Sequence, residues 1–216
     1  MKEVHLLGLS QSSVVITFDI ATEIWGESSF TFYPNIELDF DEVILPIKQY
    51  DYTVEKVGVG PKLGSKVMFA TAGPSNKLAI YNYFLTKHKL DQDAYDSLIH
   101  PTAYISPSCE IEKGVLIEQN VIVSSQVKIG FGVFAKRGVL IGHHCVLGDF
   151  VDINPGVVLS GNIKVGNGVT IGTGAILRNN ISIGENTTIG MGSVVTKDIP
   201  ANSIAFGNPC KVVKTL

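Results

Sequence analysis

Two adjacent histidines, His143 and His144, are the residues of this chain best suited by type to move a proton. The chain has only five histidines in 216 residues. A neutral imidazole titrates near physiological pH and can take a proton from an attacking amine or hydroxyl. The pair lies in LIGHHCVLGDFVDINPGVVLSGN, Leu140 to Asn162, which also holds Cys145, Asp149, Asp152 and Gly161. Metal chemistry uses the same residue types. A catalytic zinc needs three converging ligands, but His100, His143 and His144 fall in three different columns of the repeat described next. Adjacent residues rarely converge on one ion. Three cysteines, Cys109, Cys145 and Cys210, with no CxxC, argue against a disulfide framework or structural zinc.

The frame that must position these residues is a six-residue repeat. From Ile99 to Ala201 the first place of every hexad is apolar, as at Ile117, Ile141, Leu159 and Val195. The fifth place is small or β-branched, as at Val121, Val139, Cys145 and Val157. Glycine takes second place in seven hexads: Gly130, Gly142, Gly148, Gly166, Gly172, Gly184 and Gly190. Fifteen of the 22 glycines lie between residues 99 and 206. This period is neither helical nor a simple strand alternation. It fits two-residue strands joined by bends, which second-place glycine is expected to ease. Three hexads make a triangular coil of 18 residues, and residues 99–206 give six coils. At a strand spacing of ~4.8 Å the prism is about 29 Å long. First- and fifth-place side chains point inward, so Cys145 and Cys109 read as core residues rather than nucleophiles. His143 and His144, in third and fourth place, point away from the axis and are not needed for packing.

Composition narrows the class further. The chain is 45% apolar and 17% charged, with net charge −3 and pI about 5.9. That is too apolar for a disordered chain, and no basic stretch suits nucleic acid. No apolar run reaches membrane-span length and no signal-peptide pattern opens the chain. A cytoplasmic protein without membrane insertion is expected. Lys136 and Arg137, the one tight basic pair of the repeats, meet either a phosphate or solvent.

Residues 1–98 read differently. Val4–Ser10 is an apolar strand ending in a Gly/Ser turn, and Ser12 or Ser13 is placed to cap a helix to about Trp25. SFTFY, Ser29–Tyr33, alternates like a strand. Lys66–Ala72 is a buried-type strand. Pro74–Lys87 is a helix with Leu78, Tyr81 and Leu85 on one face. Strand–helix alternation implies a small parallel sheet with helices, linked through Asp91–Ser97 to the repeats.

The hexad pattern of 99–206 and the ending VVTKDIPANSIAFGNPCKVV resemble the hexapeptide-repeat acyltransferases. The resemblance implies a left-handed parallel β-helix, a homotrimer, and acetyl-CoA as co-substrate in the groove between neighbouring prisms, with no metal. A small Rossmann-like domain before such a helix resembles the subfamily of sialic acid O-acetyltransferases and nucleotide-linked amino-sugar N-acetyltransferases. The expected domains are therefore 1–96, Rossmann-like and acceptor-binding, and 97–216, the β-helix with its C-terminal tail.

The resemblance also assigns residues. His143 takes the place of the general base, with His144 the next candidate. Gly161 lies 18 residues on, in the same column, and offers its N–H to the thioester oxyanion. Asp152 stands where these N-acetyltransferases often have a second histidine near the coenzyme. Thr173 and Met191 line the coenzyme path. The carboxylate that often follows the catalytic histidine is replaced by His144, with Asp149 and Asp152 as nearby acids. In the acceptor domain, Gly8 and Ser10 match the nucleotide-binding turn. Gln11 and Ser12 replace its later glycine and histidine, and Pro34-Asn35 replaces an acidic pair. The implied activity is transfer of an acetyl group from acetyl-CoA to the amine of a nucleotide-linked amino sugar, without an acyl-enzyme. O-acetylation of a sialic-acid-like sugar and a catalytically silent binding or scaffold protein are the alternatives. A third, a metal-dependent lyase of the γ-type carbonic anhydrase kind, needs the histidine convergence that the columns oppose.

Overall fold

The computed structural model describes residues 2–37 and 49–216; of Gln11, Ser12 and Ser13 only the backbone is described. The chain divides into two units, residues 1–72 with 76–98, and residues 73–75 with 99–216.

The first unit is a four-stranded parallel sheet with two helices. Its strands are β1 (Lys2–Leu7), β2 (Ser28–Tyr33), β3 (Asp51–Val54) and β4 (Val67–Phe69), in spatial order β3-β2-β1-β4. Helix α1 (Gln11–Trp25) is the crossover that parallel neighbours β1 and β2 require. It buries Val14, Phe18 and Ala21 at helical spacing, and Phe18 packs on Phe30 of β2 with ring centroids 4.0 Å apart. Gly26, at φ 75°, ends the helix in a conformation that glycine tolerates. Helix α2 is Pro74–His88. It buries Lys77, Ile80 and Phe84, while Leu78 is 44% exposed, so the buried face is turned from the one expected. Both triads have helical spacing, and periodicity alone does not choose between them. The short edge strand β3 was not anticipated, since DYTV carries no buried face.

The second unit is a parallel β-helix with three faces. The first face stacks Leu98–Ile99, Leu116–Ile117, Phe134–Ala135, Asp152–Ile153, Thr170–Ile171 and Thr188–Ile189. The second stacks Tyr104–Ile105, Ile122–Val123, Leu140–Ile141, Val158–Leu159, Ile176–Leu177 and Val194–Val195. The third stacks Glu110–Ile111, Lys128–Ile129, Val146–Leu147, Lys164–Val165 and Ser182–Ile183. Backbone bonds run from coil to coil, as from Leu140 N to Val157 O at 2.9 Å. First- and fifth-place residues fill one continuous apolar core. At the C-terminal end, Ser203–Gly207 extends the first face in parallel and pairs antiparallel with Cys210–Thr215.

The role expected for second-place glycine is corrected by the structure. From Gly114 to Gly192 the left-handed residue of each bend is in fourth place: Gly114, Asn120, Gly138, Asn162, Gly174 and Asn186 all have positive φ. The second-place glycines instead let coils approach. A Cβ on Gly184 would stand 2.2 Å from the Ala201 N, and one on Gly142 would stand 2.5 Å from the Ser160 carbonyl. No side chain fits between coils there.

Candidate active site

His143 and His144 sit in the bend that follows Leu140–Ile141 of the second face. Neighbouring side chains on a strand diverge, but His144 has φ 58°, and this bend turns the two rings together. They stand perpendicular, with Nδ1 to Nδ1 at 3.1 Å. One coil further, Asn162 N donates to the His143 carbonyl at 2.8 Å, which places Gly161 directly against the His143 ring. A Cβ on Gly161 would lie 2.5 Å from both Cε1 and Nε2 of His143. Gly161 does not have positive φ, so its glycine character serves this close approach. Among the described residues nothing accepts the Gly161 N–H or bonds to the His143 Nε2.

The other expected residues fall elsewhere in the β-helix. Asp152 is buried on the first face and its Oδ2 accepts the Gly73 N–H at 2.7 Å. Asp149 accepts the Phe131 N–H at 2.9 Å and donates its own N–H to Asn167. Neither acid meets His143. Thr173 and Met191 share a column, but it lies in the bend after the first face, at a different corner from His143. Met191 is 81% exposed there. Lys136 and Arg137 are paired internally: Lys136 donates to Asn154 at 2.8 Å, and Arg137 meets the buried Glu118 at 3.1 Å. Cys145 is fully buried, its thiol donates to the Ser160 carbonyl at 3.1 Å, and burial pushes its pKa up. His100 bonds Thr102 through Nδ1, and no group of three metal-ligating side chains occurs among the described residues.

In the first unit, a cavity of about 430 Å³ lies at the C-terminal ends of the parallel strands. Ser10, Asn35, Thr71 and Asn76 give it polar groups, and Leu9 and Ile80 apolar ones. Gly8 stands beside it at φ 76°, where a Cβ would meet Ile80 Cδ1 at 2.2 Å. Ser10 precedes α1, and its N–H donates to the Ala70 carbonyl. Gln11 and Ser12 open α1, but their side chains lie outside the described part. Thr71 and Asn76 were missed in the sequence. Their signal was position: in open parallel sheets ligands bind beyond the carboxyl ends of the strands, and both follow β4. A further groove crosses the third face between Val146 and Pro200, lined by Val165, Ile183 and Ile199.

Comparison with known proteins fits this arrangement. The bacterial transferase hexapeptide family (six repeats) matches residues 162–197. The acetyltransferase domain of PglB from Neisseria gonorrhoeae, in complex with acetyl coenzyme A, is 25% identical. Its TM-score is 0.78, with 98% of this chain and 99% of that one covered. PerB from Caulobacter crescentus, in complex with CoA and GDP-perosamine, has a TM-score of 0.79 at 22% identity, over 99% of this chain and 98% of its own. WeeI from Acinetobacter baumannii has a TM-score of 0.80 at 22% identity, over 98% and 100%. The last two likenesses show a shared fold. No curated protein sequence matches significantly. Repeat, fold and the likeness to the PglB domain make the chain similar to the hexapeptide-repeat acetyltransferases. No helix among its described residues is long and apolar enough to cross a membrane.

Proposed function

We propose that the chain is a cytoplasmic N-acetyltransferase that carries acetyl from acetyl-CoA to the amine of a nucleotide-linked amino sugar. The observation that carries the reading is the His143 imidazole lying against Gly161 of the next coil, with a base nitrogen and a backbone donor side by side. Whole-length likeness to the PglB domain, which binds acetyl-CoA, supports the donor. The fold of PerB, which binds GDP-perosamine, supports the acceptor class. On this reading the β-helix is left-handed and residues 1–96 form a Rossmann-like acceptor domain, its cavity lined by Ser10 and Asn35.

The neutral sugar amine attacks the thioester carbon, and the C=O π pair moves onto oxygen. The Gly161 N–H donates to that oxyanion. His143 takes the ammonium proton as the N–C bond forms. The intermediate then collapses, the C–S bond breaks, and the CoA thiolate takes the proton back from His143. The base is restored and no acyl-enzyme forms.

The site on this reading is shared between copies in a homotrimer. The outward, sixth-place residues of the second face are all apolar: Tyr104, Ile122, Leu140, Val158, Ile176 and Val194. Tyr104 is 59% exposed, and Ile122 and Ile176 are each 47% exposed in the single chain. The third face carries Glu110, Lys128, Val146, Lys164 and Ser182 in the equivalent places, only one of them apolar. A second copy covering the apolar ladder stands next to the His143 bend. Its Thr173 and Met191, remote from His143 within one chain, then belong to the same coenzyme groove.

Calorimetric titration with UDP, GDP and dTDP, with CoA present, tests the acceptor. One nucleoside diphosphate binds, and Asn35→Ala weakens it. If none binds while acetyl-CoA does, the acceptor is not nucleotide-linked, and O-acetylation of a free sugar replaces this reading.

A further inference from the structure

Among the described residues the His143 ring makes one side-chain hydrogen bond, to the ring of His144, through Nδ1 on both sides at 3.1 Å. Two nitrogens facing each other can share only one proton, so the pair has two neutral arrangements. If His143 donates Nδ1–H, its Nε2 carries a lone pair and His144 holds its proton on Nε2. If His144 donates, His143 carries its proton on Nε2, and the nitrogen nearest Gly161 is no base. The tautomer of a catalytic histidine is set by the bond at its other nitrogen. A carboxylate can only accept, and so decides the matter alone. Here the partner is a second imidazole, and the two acids near it in the sequence are engaged elsewhere, Asp149 by the Phe131 N–H and Asp152 by the Gly73 N–H.

The position of His144 is itself unusual. It takes the left-handed fourth place of its bend, at φ 58°, where most other bends have glycine or asparagine, as at Gly138, Gly156, Asn162 and Asn180, the exceptions being Gln126 and Phe150. A histidine there costs backbone energy that glycine does not. Its ring fills no core: the contact it makes is the one to His143.

We propose that His144 is the positioning residue of the site: its Nδ1 accepts the His143 Nδ1–H and so holds the His143 Nε2 lone pair toward the bound amine. This rests on His143 being the base. His144 moves no proton to or from substrate. It orients the ring and, once His143 is protonated, keeps an acceptor against the Nδ1–H of the imidazolium.

The two variants that test this both tolerate the left-handed backbone. His144→Gly removes the ring without strain at φ 58°. His144→Asn puts an acceptor oxygen the same number of bonds from Cβ as the Nδ1 it replaces, at a place where asparagine is already used in this repeat. Expected for His144→Gly is a ~10- to 100-fold fall in kcat, with KM for both substrates unchanged, below the ~10²–10⁴ that the base itself supplies. His144→Asn restores kcat to within ~3-fold of the parent protein, since its oxygen accepts the same proton. Ring nitrogen NMR of the trimer reads the tautomer independently: His143 is Nδ1-protonated in the parent protein and in His144→Asn, and shifts toward Nε2–H in His144→Gly. Full activity of His144→Gly, or an unchanged His143 tautomer in it, overturns the proposal. So does failure of Asn to rescue a folded protein that Gly has slowed. Loss of the underlying reading looks different: His143→Ala is then as active as the parent, whatever stands at 144.

Discussion

The two units of this chain encode their structures in opposite ways. In residues 99–206 each constraint is stated many times: an apolar first place, a small fifth place, a left-handed fourth place. A residue type foreign to its copies is visible against them, as His144 is in a fourth place that mostly holds glycine or asparagine, next to His143. The first unit states everything once. Its cavity is assembled from Ser10, Asn35, Thr71 and Asn76, which follow three different strands. Repetition thus exposes a candidate site as an exception, while a single-copy sheet hides its candidate site among ordinary strand ends.

The largest effect expected is at the exception itself. His143→Ala should leave the proposed trimer and coenzyme binding intact and lower kcat by ~10²–10⁴, the worth of a positioned base. Near-normal turnover would return this bend to the status of any other. Gly161→Ala comes next. Its Cβ would lie 2.5 Å from the His143 ring, so the imidazole must move. A displacement near 1 Å can cost ~10²-fold in rate. The melting temperature should scarcely change; a fall in stability with unchanged kcat would make Gly161 a purely structural glycine.

Within the repeat, the second and fourth places can be set against each other. Gly184→Ala would press a methyl to 2.2 Å from the next coil's backbone. It should cost about 3 kcal/mol, the upper end of overpacking. Gly174 has φ 68° and open space around it, so Ala there should cost only about 1 kcal/mol for the left-handed backbone. Denaturant midpoints decide, and equal losses would undo the assignment of close approach to second place. The smallest effect belongs to the first unit. His5 is buried in β1 against the Tyr33 hydroxyl, and burial holds its pKa below the ordinary 6.5. The unfolded chain therefore binds the proton more readily than the folded one. Stability of this unit is full above about pH 6.5 and falls as pH drops below it. His5→Asn should remove that slope, and a slope unaltered by the substitution would assign it to another group.

How much the sequence revealed follows the same division. The β-helix, its 18-residue coil and the juxtaposition of His143 with Gly161 were legible from arithmetic on the period. The function of second-place glycine was not, because a pattern of residue types does not say whether Gly serves a bend or a close approach. The His143–His144 bond was also hidden, since adjacency in sequence usually separates side chains, and only the left-handed backbone at 144 reverses this. In the first unit α1, β1 and β2 were legible from apolar runs bounded by turn residues. The face of α2 was missed because Leu78/Tyr81/Leu85 and Lys77/Ile80/Phe84 are equally periodic, and lysine is a residue type ordinarily exposed. The cavity was half seen: the first turn and Asn35 were named, while Thr71 and Asn76 become neighbours only once β4 pairs with β1.

The central claim is acetyl transfer from acetyl-CoA to a nucleotide-linked amine at the His143 bend. Free thiol release, followed with acetyl-CoA and a panel of UDP-, GDP- and dTDP-linked amino sugars, tests it most directly. One member of the panel should release thiol in step with a product heavier by one acetyl group, and replacement of its amine by a hydroxyl should abolish that turnover. Binding of acetyl-CoA with no thiol release on any amine of the panel would contradict the claim.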